Sequence, residues 1–124
     1  MRWIGLLLLG VLLSCQPSLP KACVVIEAVS LTEGFRVKDT NSADVTIHPG
    51  DCIEFVNADL SLTHTVQTKP QSNPPKEIPA SSLPYRPYSH KVVLNIAGEY
   101  EYICSINTGN VVHARTMFGK ITVR

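Results

Sequence analysis

Short stretches of alternating apolar and polar residues recur along this chain and predict β-strands. Clusters of glycine, proline, asparagine and aspartate separate them and favour turns. In Pro49-Gly50-Asp51, for example, proline presets one backbone dihedral and glycine permits a positive φ. The predicted strands are Ala22–Leu31, Phe35–Lys38, Val45–Ile47, Cys52–Asn57, Lys91–Ile96, Tyr100–Cys104 and Lys120–Val123. The pattern predicts an all-β protein, an antiparallel-rich β-sandwich.

The segment 69–87 breaks this pattern, because a run rich in proline cannot supply the hydrogen bonds of a central strand. Its six prolines are Pro70, Pro74, Pro75, Pro79, Pro84 and Pro87. The pieces on either side are too small to stand alone as domains. We therefore predict an ordered excursion over one flank of the sandwich, with room for one short helical turn.

The N-terminal residues 1–15 predict an export signal. Arg2 gives a positive start, Ile4–Leu13 is apolar apart from glycine, and this run is too short to span a bilayer as a helix. Leu12-Leu13-Ser14-Cys15 resembles a bacterial lipobox, which implies a lipid-bearing Cys15 after cleavage. The alternative is an ordinary secretory signal cut near Pro17–Ala22. Either way we expect an exported protein, periplasmic or membrane-anchored, with residues 16–21 as a tether and 22–124 as the domain.

The mature chain is long enough for one compact domain. Removing Arg2 from 11 basic and 10 acidic residues leaves ten against ten. A balanced charge without a basic cluster excludes nucleic acid as an expected partner. We expect a monomer that contacts a membrane only through a lipid on Cys15.

Two of the four cysteines, Cys23 and Cys52, lie early in separate predicted strands. An oxidising compartment favours a disulfide between them if those strands are neighbours. Two free structural thiols are the alternative.

The C-terminal part of the chain holds a cysteine, a histidine and a methionine at metal-ligand spacing. Eight residues separate Cys104 from His113 and three separate His113 from Met117, while His64 lies upstream. One thiolate, two imidazoles and a weak thioether are the donor set of a mononuclear blue-copper electron-transfer site.

These residues and their surroundings resemble the cupredoxins, in particular the plastocyanin and pseudoazurin branch. The resemblance covers the chain from about Asp44 to the C-terminus, apart from the proline-rich excursion. The matching segments are Val45-x-Ile47-x-Pro49-Gly50-Asp51-x-Ile53-x-Phe55-Val56-Asn57-x-Asp59, His64-Thr65-Val66, Gly98-x-Tyr100-x-Tyr102-x-Cys104, His113 and Met117-Phe118-Gly119-Lys120.

The resemblance implies a Greek-key β-sandwich of about seven to eight strands with one type 1 copper per chain. Cys104, His64 and His113 would form a trigonal plane, with Met117 as a distant axial ligand. His113 would present its ring edge at an apolar surface as the electron port. Asn57 would tie the ligand-bearing segment through side-chain hydrogen bonds, and the Thr65 amide would donate to the cysteine sulfur.

The loop between Cys104 and His113 is longer than in plastocyanin-like proteins and resembles the type 1 centres of copper nitrite reductases. Those enzymes place a histidine beside the cysteine, whereas here the neighbours are Ile103 and Ser105. We therefore expect a mononuclear site and no enzymatic activity.

The expected function is one-electron transport between redox partner proteins that the sequence does not identify. A copper-handling protein without a shuttle role is the alternative, and a metal-free adhesion protein is a third.

Some other aromatic side chains have structural interpretations. His48 and His90 are expected at the surface or in turns, outside the metal site. Tyr100 and Tyr102 alternate on one predicted strand, and we expect one to point inward and one outward.

Overall fold

A computed structural model describes residues 21–124, which form two packed β-sheets. The eight longer strands are β1 (Val24–Ser30), β2 (Gly34–Val37), β3 (Val45–Ile47), β4 (Cys52–Asn57), β5 (Thr65–Thr68), β7 (His90–Val93), β8 (Gly98–Ile103) and β11 (Phe118–Val123). Three further strands have two residues each: β6 (Ser81–Ser82) joins the larger sheet, while β9 (Asn107–Thr108) and β10 (Val111–Val112) pair only with each other. The described helical structure is one 3-10 turn, His113–Arg115. The predicted all-β sandwich is confirmed.

The two sheets have the strand orders β2-β1-β4-β7 and β3-β11-β8-β5-β6. Strand β1 runs parallel to β4 and β3 runs parallel to β11, while the other pairs in the two sheets are antiparallel. The chain crosses from one sheet to the other between β2 and β3, β3 and β4, β4 and β5, β6 and β7, and β7 and β8. The C-terminal ends of β4 and β8 and the start of β11 lead into the segments that carry the candidate ligands.

The predictions about the export signal, Cys15 and the tether as far as residue 20 fall outside the described residues. Across residues 21–124, no helix is both long enough and apolar enough to cross a membrane.

The core lies between the sheets and contains a cluster of aromatic rings. Tyr102 contacts Phe35 and Phe55 edge-on, with ring centroids 5.0 and 5.3 Å apart. Its hydroxyl donates to the Ala43 carbonyl at 2.5 Å. Tyr100 is also buried. The expectation that one tyrosine points outward was wrong, because residues two apart on a strand share a face of the sheet.

A disulfide joins Cys23 to Cys52. Strand β1 pairs with β4 in the register Val24 to Ile53, which places the two cysteines opposite each other with their Cα atoms 4.7 Å apart. The predicted pairing is confirmed, and it fastens the end of β4 that lies away from the ligand-bearing segment.

The proline-rich excursion is ordered and carries β6 instead of a helical turn. Strand β6 covers the edge of β5, and the buried side chains of Ile78 and Leu83 join the core. The Leu83 amide also donates to the His64 carbonyl at 2.9 Å, so the excursion helps to hold a candidate ligand.

Candidate metal centre

Three of the predicted ligands meet at one end of the sandwich. His64 immediately precedes β5, Cys104 follows β8, and His113 opens the 3-10 turn. Cys104 Sγ lies 3.9 Å from His64 Nδ1 and 3.6 Å from His113 Nδ1. The three potential ligand atoms lie within 4.8 Å of one another, and all three side chains are fully buried. Residues 40 positions apart in sequence are thus brought into one cluster by the pairing of β5 with β8.

The spacing of these atoms fits a bound metal ion. Metal bonds of about 2.3 Å to sulfur and about 2.0–2.1 Å to nitrogen, at angles near 110–120°, place a sulfur and a nitrogen roughly 3.5–3.8 Å apart. The two sulfur–nitrogen distances are close to this value. A thiolate with two imidazoles is a donor set suited to copper or zinc. The cluster therefore has both the chemistry and the dimensions of a metal site.

Met117 is buried and is tied to the other residues through its backbone. Its amide donates to the His113 carbonyl at 2.8 Å, and its carbonyl accepts from the Cys104 amide at 3.1 Å. The structure thus places Met117 in the same loop, beside the three-residue cluster.

Gly34 of β2 permits the close approach of this loop. It has a φ of +72°, and a Cβ at this position would lie 2.5 Å from the Thr116 carbonyl oxygen. A side chain here would push against the backbone that leads directly into Met117.

A buried carboxylate fixes the orientation of His64. Asp59 Oδ2 accepts a 2.7 Å hydrogen bond from His64 Nε2, while Oδ1 accepts bonds from the amides of Ser61 and Leu62. Because an ionised carboxylate can only accept, the imidazole hydrogen lies on Nε2. The Nδ1 lone pair is therefore left facing Cys104. Such a carboxylate–histidine pair is a frequent support of metal ligands.

Asn57 closes the same segment, as the resemblance implied. Its side-chain oxygen accepts from the Asp59 amide at 2.8 Å, and its Nδ2 donates to the Leu62 carbonyl at 3.0 Å. Both bonds are local, so Asn57 holds the turn that presents Asp59 to His64.

The protonation states suit metal binding. Burial would raise the pKa of Asp59, but the hydrogen bonds from His64, Ser61 and Leu62 outweigh burial and hold this pKa below its usual value. Burial, with a smaller contribution from the neighbouring His64, lowers the pKa of His113. A carboxylate that stays ionised and an imidazole that stays neutral are the forms that a metal site needs.

The sulfur of Cys104 accepts hydrogen bonds from Thr65. The Thr65 amide lies 3.4 Å from Sγ, as the resemblance implied, and the Thr65 hydroxyl lies 3.7 Å from it. The same hydroxyl oxygen accepts from the Ser105 amide at 3.0 Å and meets the Ser105 hydroxyl at 2.9 Å. When Ser105 supplies both of these hydrogens, the Thr65 hydroxyl hydrogen is free to point at the sulfur.

The expectation that the ring edge of His113 lies at the surface was wrong. His113 has no exposed surface, and its Nε2 meets Thr108 Oγ1 at 2.7 Å. The long loop causes this difference, because it folds into the β9–β10 hairpin and places Thr108 against the ring. The apolar side chains of Val111 and Phe118 are about half exposed in the same part of the chain.

The other two histidines lie elsewhere, as predicted. His48 is exposed and its Nδ1 lies 3.7 Å from the Asp51 carboxylate. His90 Nε2 lies 2.9 Å from the Pro79 carbonyl oxygen. Neither takes part in the three-residue cluster.

Two supporting residues, Asp59 and Thr108, were missed by sequence reasoning. Asp59 formed part of the motif that resembles cupredoxins, but aspartate is usually exposed, so nothing marked it as a buried partner of His64. For Thr108, the Gly109-Asn110 dipeptide is a hairpin turn signal that could have predicted the loop's conformation.

Comparison with solved structures identifies the architecture as the cupredoxin fold. The chain is similar to a copper-containing nitrite reductase from Thermus scotoductus SA-01 (24% identity, TM-score 0.64), with 86% of this chain covered. It covers 23% of that chain, so it spans less than a quarter of the enzyme's length. Amicyanin from Paracoccus versutus gives 20% identity and a TM-score of 0.59, with 86% of each chain covered.

A purple cupredoxin from Nitrosopumilus maritimus gives 20% identity and a TM-score of 0.55, with 82% of this chain and 99% of that chain covered. No protein-family model and no curated protein sequence matches the chain. The three structures establish a cupredoxin fold, which confirms the resemblance found in the sequence at the level of architecture.

Proposed function

We propose that this chain is an exported, mononuclear type 1 copper protein that carries one electron at a time between redox partners. The observation that carries this proposal is the buried cluster of His64, Cys104 and His113 at metal-ligand distances. The names of the similar structures support it, since one is an amicyanin, one is a purple cupredoxin and one is a copper-containing nitrite reductase.

In the proposed site, Cys104 would supply a thiolate ligand, His64 and His113 would supply imidazole ligands, and Met117 would supply a weak thioether ligand. Bound copper would supply a one-electron couple between its monovalent and divalent states. The chain's own contribution is to hold its ligands in place. Asp59 orients one imidazole, Thr65 donates to the sulfur, and the surrounding β-strands limit ligand movement when the charge changes.

An electron carrier is favoured over an enzyme by the sequence around the cysteine. Ile103 and Ser105 flank Cys104, so no histidine stands beside it to connect a second copper. The likeness to a nitrite reductase concerns only a small part of that enzyme. The proposal is therefore a carrier without substrate turnover.

A copper-handling role without electron shuttling is the second candidate, and one observation favours it. His113 is covered by the β9–β10 hairpin, so the imidazole edge expected to serve as an electron port is not at the surface. A covered imidazole suits a protein that binds copper without passing electrons through this ring.

Electron self-exchange separates the two candidates. Mixing the oxidised and reduced copper-loaded protein and following nuclear magnetic resonance line broadening measures this rate. A carrier is expected to exchange electrons rapidly and to cycle reversibly at an electrode. Slow exchange, together with transfer of copper to an acceptor protein or chelator, would instead support copper handling.

Export, a lipid on Cys15, a monomeric state and redox protein partners are further parts of the proposal. The Cys23–Cys52 disulfide supports an oxidising compartment. Mass spectrometry of the N-terminal peptide from the native host tests the lipid. A diacylated cysteine would support anchoring, and an N-terminus within residues 17–22 would indicate a released protein.

A further inference from the structure

The loop between Cys104 and His113 is a small folded element. Strands β9 and β10 pair as Val111 to Thr108 and Val112 to Asn107, and Gly109 adopts a φ of +60° at the turn. The His113 amide extends this pairing by donating to the Ile106 carbonyl at 3.1 Å. The hairpin thus begins beside one ligand and ends at the other.

Most of this hairpin is exposed, but His113 beneath it has no exposed surface. The 2.7 Å contact between Thr108 Oγ1 and His113 Nε2 connects the hairpin to the buried ring. Every buried side-chain nitrogen or oxygen in the described part of the chain has a hydrogen-bond partner, and for His113 Nε2 that partner is Thr108. Loss of the hydroxyl would therefore leave a buried ring nitrogen unsatisfied.

We infer that Thr108 is a positioning residue, which holds the His113 ring so that its Nδ1 faces Cys104. This inference rests on the proposed function only in assuming that the ring binds copper. When Nε2–H donates to the Thr108 hydroxyl, the Nδ1 lone pair points at Cys104 Sγ, 3.6 Å away. The hydroxyl thus fixes the orientation of the ring, and by accepting from Nε2–H it supports the tautomer that a metal on Nδ1 needs.

The two imidazoles are supported by groups of different charge. Asp59 places a carboxylate on His64, whereas Thr108 places a neutral hydroxyl on His113. An acceptor on the outer nitrogen makes an imidazole a stronger donor to a metal, which favours the more highly charged ion. Removal of the Thr108 hydroxyl should therefore weaken binding of divalent copper and raise the reduction potential.

The test compares Thr108→Val, which keeps the branched shape and removes the hydroxyl, with Thr108→Ser, which restores it. Thr46→Val is the matched control, because Thr46 is an exposed strand threonine whose side chain makes no hydrogen bond within the described structure. The first readout needs no metal: nitrogen chemical shifts of the His113 ring in the apoprotein report its tautomer. The second is the affinity for divalent copper, measured by competition with a chelator, with the reduction potential alongside.

We expect the His113 ring of the wild-type apoprotein to carry its hydrogen on Nε2. In Thr108→Val we expect the same ring to populate both tautomers. Copper affinity should fall by about 10–100-fold in Thr108→Val and recover in Thr108→Ser. Wild-type tautomer and affinity in Thr108→Val would overturn the inference. If the wild-type protein fails to bind copper while Thr108→Val still changes the tautomer, the proposed function is wrong and the positioning role of Thr108 stands.

Discussion

Asp59 is the side chain on which the segment around His64 depends most. One of its oxygens meets the imidazole and the other accepts two backbone amides of the same turn. The Tyr85 hydroxyl donates to the Asp59 carbonyl at 3.0 Å, which ties this residue to the proline-rich excursion. The carboxylate of Asp59 therefore connects a candidate ligand to its turn, and the backbone carbonyl of the same residue connects this turn to a distant segment.

Asp59→Asn should weaken copper binding by about 10–100-fold and raise the reduction potential. An amide has one accepting and one donating end, so it cannot satisfy both His64 and the turn amides. Loss of the negative charge also disfavours the divalent ion. Competition titration and voltammetry measure the two effects. Asp39→Asn, at an exposed turn, is the control, and identical behaviour of the two variants would contradict the role of Asp59.

Thr65→Val should change the potential in the opposite direction. The hydroxyl lies 3.7 Å from Cys104 Sγ and stabilises negative charge on the sulfur, which favours the reduced metal. Its removal leaves the backbone amide in place, so copper should still bind while the potential falls. Voltammetry of the variant beside Thr46→Val checks this, and an unchanged or raised potential would show that the hydroxyl does not stabilise charge on the sulfur.

At the residue scale, four ligands were predicted from their types, order and spacing, because these properties carry the chemistry. His64, Cys104 and His113 do meet, as that prediction required. The supports of the two histidines were not predictable. Asp59 and Thr108 belong to residue types that are common in exposed turns, and only the folded chain shows which imidazole each contacts.

At the scale of elements, β2 and the ligand loop are fitted closely together at Gly34. The loop carbonyl of Thr116 occupies the space that a side chain on Gly34 would need. This contact constrains the backbone of Thr116, which directly precedes the predicted ligand Met117.

Gly34→Ala should lower the free energy of unfolding by about 1–3 kcal/mol and weaken copper binding. The alanine would be strained at a φ of +72° and its Cβ would collide with the Thr116 backbone. Gly50→Ala is a sharp control, since Gly50 has a φ of +89° with its nearest neighbour atom 3.8 Å away. Urea denaturation and copper titration should show destabilisation in both variants and loss of affinity only in Gly34→Ala. Equal copper affinity of the two variants would show that Gly34 does not influence the metal site.

Strands with clear alternation, such as Cys52–Asn57 and Val45–Ile47, were predicted with their observed bounds. Strand β5 and the β9–β10 hairpin were not predicted. Strand β5 has one buried apolar residue, Val66, and the hairpin strands have two residues each. Their stability comes from pairing with neighbours and not from a local pattern, so short windows of sequence carry little signal for them.

At the scale of the whole molecule, the disulfide and the candidate metal site lie at opposite ends of β4. Cys52 begins this strand, and Asn57 ends it beside the turn that carries Asp59. The covalent link can therefore stabilise the sandwich without forming part of the site.

Replacing both Cys23 and Cys52 by serine should lower the free energy of unfolding by about 3–4 kcal/mol. This estimate follows from the lost loop closure over a sequence separation of 29 residues. Chemical denaturation of the apoprotein measures it. The copper spectrum of the folded variant should match that of the wild type, and a changed spectrum would mean that the disulfide shapes the site.

The sandwich was predictable from alternation and turn chemistry, because these properties repeat along the chain. The cover over His113 and the contact of Leu83 with His64 depend on how distant segments meet, and the sequence alone did not reveal them. The candidate metal centre is more enclosed than the resemblance to cupredoxins implied, and electron transfer is proposed for this enclosed centre.

We expect Cys104, His64 and His113 to hold one copper ion, with Cys104 bound as a thiolate. Visible absorption and electron paramagnetic resonance spectra, recorded while the apoprotein is titrated with divalent copper, test it most directly. We expect an intense blue, green or purple band that saturates at one equivalent, with narrow copper hyperfine splitting, and its loss in Cys104→Ser. A pale protein with wide hyperfine splitting, or a band that survives in Cys104→Ser, would contradict the account.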